Sequence, residues 1–384
     1  YGDHRDLHLS LRRQRQMCIR DRCRCCDFEV SRIMKKVAIV GYAQHPILKN
    51  AGALNEVELI MPVVHQLFND LGVSQKDIDF TCSGSCDYLQ GAAFAFVEGL
   101  SAIQTNPPIK ESHVEMDAAW AMYESMLKIQ MGDAETALIY GFGKSSPGDL
   151  DAIISLQMDP YYISPLWPDR VSLAALQAKV LLDQNIITQE QMLATVIEAR
   201  VNSKNNKNAL ITDLINESEY LNTAMVSSPL NKLDCPPISD GSSAMIIASE
   251  DKAYEFTDHP VWIEGIDHRI ESSNLGCRNL TTSNTMQTSM DQLDLKNIKF
   301  DVAELHTQFS HELPFLKSLL NLQDVPTNIS GGPLVGNVMM CAGLDAIGKT
   351  YESLKDNQFT HGLAHATSGP CLQHNMLVHL EKQK

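Results

Sequence analysis

A chain of 384 residues, 44% of them hydrophobic, is long enough for one large domain or two moderate ones with a full core. Its formal net charge of −16 argues against a nucleic-acid surface. It shows no apolar run of the roughly 18 residues needed to cross a bilayer and no secretory apolar segment. A cytoplasmic protein with reduced thiols is expected.

Residues 1–33 differ from the rest. Eight Arg against five acids give this stretch +3 of the total −16, leaving −19 for the remainder. It also holds Cys18, Cys23, Cys25 and Cys26, with no second ligand pair at zinc-finger spacing. It reads as an unstructured or non-native extension, with Met34 as the expected start of the fold.

Lys35–Val40 reads as a buried strand and Gly41–Pro46 as the loop after it. Apolar residues at helical spacing from Val57 to Leu71, stopped by Gly72, predict a helix. Ser74–Asp79 is a capping turn into a strand around Phe80, and Cys82-Ser-Gly-Ser-Cys86 follows it as a pair of partly buried thiols. Phe94–Leu100 is another short apolar element.

From Glu111 the chain reads as a turn, then a buried helix over about residues 116–131 carrying Ala118, Ala119, Ala121, Met122, Met126 and Ile129. Gly132 and Asp133 end it. Ala137–Tyr140 is a fully buried strand, and Gly141, Gly143, Ser145 and Ser146 form a small-residue loop.

Residues 149–235 read as an insertion. Asp159–Pro168 is rich in Pro and aromatic residues and predicts an ordered loop. Val171–Asp183 and Thr188–Asn202 are amphipathic helices, the second with a Thr188/Gln191 capping box, and Asn202–Asn208 is a polar surface turn. Asp240-Gly241 is read as a turn before a strand from Ala244 to Ala248.

Two phrases recur roughly 220 residues apart, Ser74–Phe80 in Leu295–Phe300 and Thr136–Ser145 in Gly362–Gly369, which implies two similar α/β halves. Between them lie His306-Thr-Gln-Phe309 after a strand, Asn328-Ile-Ser-Gly-Gly332, the stretch Gly336–Gly343, a helix from Ala342 to Leu354, and Leu363–Asn375 with His365, Gly369, Cys371 and His374.

In these phrases, over about residues 34–384, the chain resembles the thiolase superfamily, in particular the sterol-carrier-protein thiolase and lipid-transfer-protein branch. The resemblance implies an α/β fold of two duplicated βαβ-type halves in a layered αβαβα arrangement. Residues 34–255 would form the first half, with a loop domain at about 149–235, and 256–384 the second.

His306 falls on the family's His of H-D-C-F, which supports an oxyanion hole. The family's nucleophilic Cys stands at the tip of the first buried helix; here Glu115, or a position near Asp117 or Ala118, takes its place. The His of the family's G-H-P box is missing, with Asn337, Val338 and Met339 nearest. The family's last Cys falls near Ala366 or Thr367.

With three of four catalytic groups absent, the resemblance implies acyl-CoA chemistry without a covalent acyl-enzyme. That is retro-aldol cleavage of a β-hydroxyacyl-CoA, with His306 holding the enolate and Asp117, Glu115 or Tyr123 moving the proton. Asn328, Gly331, Gly332, His365 and Gly369 are the expected substrate-binding positions. No cofactor is expected beyond the coenzyme A of the substrate. A homodimer and a small OB-fold, zinc-ribbon acyl-CoA-binding partner are implied. A non-catalytic acyl-CoA-binding or scaffolding subunit and a conventional acetyl-CoA acyltransferase, through Cys82 or Cys86, are the alternatives.

Overall fold

Small and β-branched residues decide where this chain pleats and how closely its layers approach. The computed structural model describes residues 34–104, 108–356 and 359–383. The extension 1–33, with its four Cys, lies outside the described residues.

The first half contains β1 (Val37–Gln44), α1 (Glu56–Leu71), β2 (Phe80–Gly84), α2 (Phe96–Ala102), β3 (Lys110–Val114), α3 (Ala118–Gln130) and β4 (Thr136–Lys144). Three of the helices of the inserted segment are α4 (Leu150–Leu156), α5 (Arg170–Asp183) and α6 (Gln189–Asn202). Then come β5 (Ile238–Ser249), β6 (Val261–Ile270), α7 (Asn284–Gln292), β7 (Val302–Leu305), α8 (Glu312–Leu319), α9 (Ala342–Asp356), β8 (His361–Ser368) and β9 (His374–Lys382).

The strands run in the order β3-β2-β4-β5-β1-β6-β9-β8-β7. β1 meets β6 only at Ala38–Trp262 and Ile39–Val261, a narrow join between two halves of the sheet. Three cores follow from this. Apolar residues of α3 and α9 fill the middle one, between strands of both halves. α1 covers the outer face of the first half through Ile60, Val63, Val64 and Leu67, and α7 and α8 cover the second through Met286, Met290, Phe315 and Leu316. The result is the layered α/β arrangement, with α3-then-β4 in one half matched by α9-then-β8 in the other.

Several predicted boundaries move. Glu111 opens no turn; it lies in strand β3. The expected loops after Val40 and Tyr140 are strand to Gln44 and Lys144, Cys82 to Gly84 belong to β2, and Asp240-Gly241 lies inside β5. Gly and Ser read as loop formers in sequence, but here they sit where the pleat must admit another backbone. A Cβ on Gly84 would lie 2.5 Å from Ala118 Cα, and one on Gly143 only 2.1 Å from the Met339 carbonyl oxygen. Gly84 thus lets the tip of α3 lie against β2, and Gly143 lets the segment before α9 lie against β4. Gly143→Ala is expected to cost about 1–3 kcal/mol, as overpacking against backbone does. Urea unfolding checks this, and a stability equal to the parent's would show that the segment yields without cost.

Asn202–Asn208 is no simple surface turn. Asn202 Nδ2 donates to Asn328 O at 3.0 Å, Asn206 Nδ2 to Ser330 O at 3.0 Å, and Asn208 is buried with Nδ2 on Gln44 Oε1 at 3.3 Å. The amides replace water for carbonyls that would otherwise be orphaned.

Candidate active site

α3 and α9 both start at the centre of the molecule, and their tips are tied by one carboxylate. Asp117 is the N-cap of α3: Oδ1 accepts from Ala119 N at 2.9 Å. The same oxygen accepts from Leu344 N at 3.0 Å, and Oδ2 from Gly343 N at 2.9 Å, both in the first turn of α9. Ala118 N donates to Met340 O at 2.9 Å. Two positive helix ends therefore converge on one buried acid. Burial pushes its carboxyl up, and the three N–H groups pull it back.

A cleft of about 520 Å³ opens beside these tips. Its walls come from Glu115–Asp117, from Met339, Met340 and Ala342, from the segment after β7 (His306, Gln308, Phe309, Glu312), from the β8–β9 turn (Thr367–His374), and from inserted residues including Gln157, Met158, Ile163 and Arg170. Asn337 lines it as well, in a short strand pairing with Ile238.

His306 is buried. Its backbone N donates to His365 O at 3.1 Å, and its Nδ1 accepts from Thr367 N at 3.4 Å. That acceptor role places the proton on Nε2, which has no partner among the described residues. Burial lowers the imidazole pKa to about 4, opposed by the Asn337 side chain. A neutral N–H donor is thus presented at the cleft, and the Asn337 amide oxygen is likewise unpartnered.

Glu312 was missed in the sequence. It is buried, lines the cleft, and accepts on Oε2 from Gln308 N at 2.6 Å and Phe309 N at 3.2 Å. Desolvation raises its pKa to about 7 despite those two bonds. An acid opening a helix whose next four residues are apolar, six residues after His306, was the signal available.

The other expected positions divide. Glu115 lines the cleft with its side chain half exposed; Oε1 accepts from Asp87 N at 2.7 Å, and Oε2 meets His113 Nε2 at 3.1 Å. Gly369 lines the cleft with φ 75°. Tyr123 is not in the wall; more than a turn into α3, it is partly buried against the middle core. Asn328 stands behind the wall, where Oδ1 accepts from Leu305 N at 2.6 Å and Nδ2 donates to Leu305 O and Thr307 Oγ1, each at 3.0 Å. It holds the His306 segment from outside. Gly331 and Gly332 continue that brace at positive φ. His365 is fully buried below His306, bonded to Asn375 Oδ1 at 3.1 Å and lowered to about 3 by burial.

Among the described thiols, Cys86 and Cys371 line the cleft. Cys86 accepts from Gln157 Nε2 at 3.0 Å and burial raises its pKa. Cys371 donates to Leu173 O at 3.3 Å and is pushed up to about 12. Cys82 is buried in β2, also at about 12. Cys341 precedes α9 but is fully buried, and burial holds it well above the ordinary thiol range. The residue that caps α3 is an acid.

No helix among the described residues is long and apolar enough to cross a membrane. No known family model matches the chain. It is 25% identical over 366 residues to an acetyl-CoA acetyltransferase of Methanocaldococcus jannaschii, covering 85% of this chain and 91% of that one. It is 25% identical over 293 residues to one of Methanothermobacter thermautotrophicus, covering 72% and 75%.

Three solved structures share the fold. An Ltp2–ChsH2(DUF35) aldolase is 18% identical with TM-score 0.74, covering 90% of this chain and 97% of that one. Human mitochondrial 3-ketoacyl-CoA thiolase is 14% identical with TM-score 0.75, covering 91% and 100%. A Bacillus anthracis acetyl-CoA acetyltransferase is 16% identical with TM-score 0.73, covering 91% and 99%. Matched along most of its length by these relatives and folds, the chain has the thiolase fold and is similar in sequence to acetyl-CoA acetyltransferases.

Proposed function

We propose that this protein cleaves a carbon–carbon bond of a β-hydroxyacyl-CoA by a retro-aldol reaction. The observation that carries it is the tip of α3, where Asp117 is spent on three backbone N–H groups while His306 still presents a free Nε2–H at the cleft. A mixed anhydride on an acid would hydrolyse, so acyl transfer through that position is unproductive. A retro-aldol step needs only a base and an enolate holder.

Glu312 takes the proton of the substrate's 3-hydroxyl. The C2–C3 bond breaks, a carbonyl forms at C3, and the electron pair passes to C2 and the thioester oxygen. His306 Nε2–H holds that oxygen. The proton returned to C2 gives the shortened acyl-CoA and a ketone or aldehyde. Glu115 is the second acid in the wall and orders the segment at Asp87. Asp117 keeps the helix tips in place, and Tyr123 takes no part. The aldolase neighbour is described as a complex with a DUF35 protein. That supports a partner of the small OB-fold, zinc-ribbon acyl-CoA-binding kind, and the thiolase fold supports a homodimer.

A base with pKa about 7 must be ionised to act. kcat/KM is therefore expected to rise as pH climbs through about 7 and level off above it, with His306 neutral throughout. Glu312→Gln should lower the plateau by about 10²–10⁴-fold and remove the pH step. The assay supplies β-hydroxyacyl-CoA, or acetoacetyl-CoA with free CoA, and follows carbonyl product and thiol.

Two outcomes favour other readings. CoA-dependent thiolysis abolished by Cys86→Ala supports an acyltransferase, since Cys86 does line the cleft. Tight acyl-CoA binding with no turnover supports a binding subunit, as the engaged Asp117 and the Asn337 found near His306 would allow. Either result sinks the lyase.

A further inference from the structure

Far along β8 and β9 from their turn, three metal-ligand side chains share one face of the open end of this hairpin. His361 begins β8 and lies opposite Glu381, while His379 stands two residues earlier on β9, opposite Leu363. The strand period of two puts His379 and Glu381 on the same face. His361 Nδ1 lies 3.2 Å from His379 Nε2 and 4.0 Å from Glu381 Oε2, and the three ligand atoms fall within 4.8 Å of one another.

The surroundings suit a fixed cation. The His379 and Phe300 rings pack edge to face, centroids 5.5 Å apart, which sets the orientation of the imidazole. Asp301 Oδ2 accepts from Thr360 N at 2.8 Å and His361 N at 3.1 Å, anchoring the strand that carries His361. Asp301 and Glu264 add negative charge nearby. His379 is buried, whereas His361 and Glu381 keep about a third of their side chains exposed, so an ion can enter from solvent.

We propose that His361 Nδ1, His379 Nε2 and the Glu381 carboxylate bind one divalent transition-metal ion of the zinc class. Nitrogens held about 2.0–2.1 Å from a tetrahedral zinc lie about 3.3 Å apart, close to the separation already present. Two imidazoles and a carboxylate are borderline donors that prefer such an ion to calcium or magnesium. A fourth position opens to water. The ion pins the open end of the hairpin, beside the last residues of the chain and away from the cleft.

The bland alternative is an imidazole–imidazole hydrogen bond with an exposed acid beside it. Full-length protein stripped by chelator is titrated with Co²⁺ and then Zn²⁺. The expected result is one Co²⁺ equivalent with a visible spectrum free of thiolate charge transfer, displaced by Zn²⁺, and a melting temperature raised by Zn²⁺. His361→Gln and Glu381→Gln, both at partly exposed positions, should each weaken this uptake by at least about tenfold and remove the thermal shift. No uptake, uptake with thiolate bands alone, or equal uptake in parent and both variants would overturn the proposal.

Discussion

His306→Ala is expected to lower kcat for the proposed retro-aldol cleavage by about 10²–10³-fold, the size of effect seen when one donor of an oxyanion hole is removed. The expectation follows from how the ring is held. Thr367 N occupies Nδ1, so the neutral tautomer carries its proton on Nε2, and no described residue accepts it. Burial keeps the pKa near 4, so at neutral pH the ring donates a hydrogen bond without giving up a proton. Charge builds on the thioester oxygen only as the C2–C3 bond breaks, so the loss should fall on kcat far more than on KM. His306→Gln retains an N–H donor and should recover part of the rate. Thermal melting of each variant separates this from misfolding, because truncating a buried ring also leaves a cavity. Unchanged turnover in a folded His306→Ala protein would remove His306 from the chemistry.

Local pattern accounts for what was legible in the sequence. The alternation of small and apolar groups from Ala118 to Ile129 marked α3, and Gly132, at φ 75°, marked its end. The repeated strand-and-small-residue phrase marked the duplication that the structure realises as α3–β4 and α9–β8. Non-local demands were what stayed hidden. Gly141 and Gly143 looked like a loop because the sequence cannot show that Met339 and Met340 lie against them. Asp117 was recognisable as an acid near a helix entrance. Its three donors, however, come from two helices more than 220 residues apart. Tyr123 shares α3 with Asp117, but one helical face cannot turn both to the same cleft. Glu312 escaped notice because a Glu at a helix start is usually an ordinary first-turn acid, and only the packed cleft around it raises its pKa.

Asp117→Ala is expected to cost about 4 kcal/mol of folding stability, the largest single loss among these substitutions. Removing the carboxylate orphans Ala119 N, Gly343 N and Leu344 N at a buried position on the cleft wall. A lost N-cap alone costs about 1 kcal/mol, and each buried unsatisfied donor about 1–3 kcal/mol before relaxation. Asp117→Asn separates structure from chemistry. Its side-chain oxygen can still accept from Ala119 and Leu344, but its NH₂ then faces Gly343 N, donor against donor. About 2 kcal/mol should be lost, with turnover per folded molecule largely kept. Urea midpoints measured beside single-turnover rates decide the matter. If Asp117→Asn unfolds at the parent's midpoint yet stops cleavage, Asp117 is the base and the role given to Glu312 fails. The expected pattern is the reverse, because both carboxylate oxygens already accept from the helix ends and are held there rather than aimed at a substrate hydroxyl.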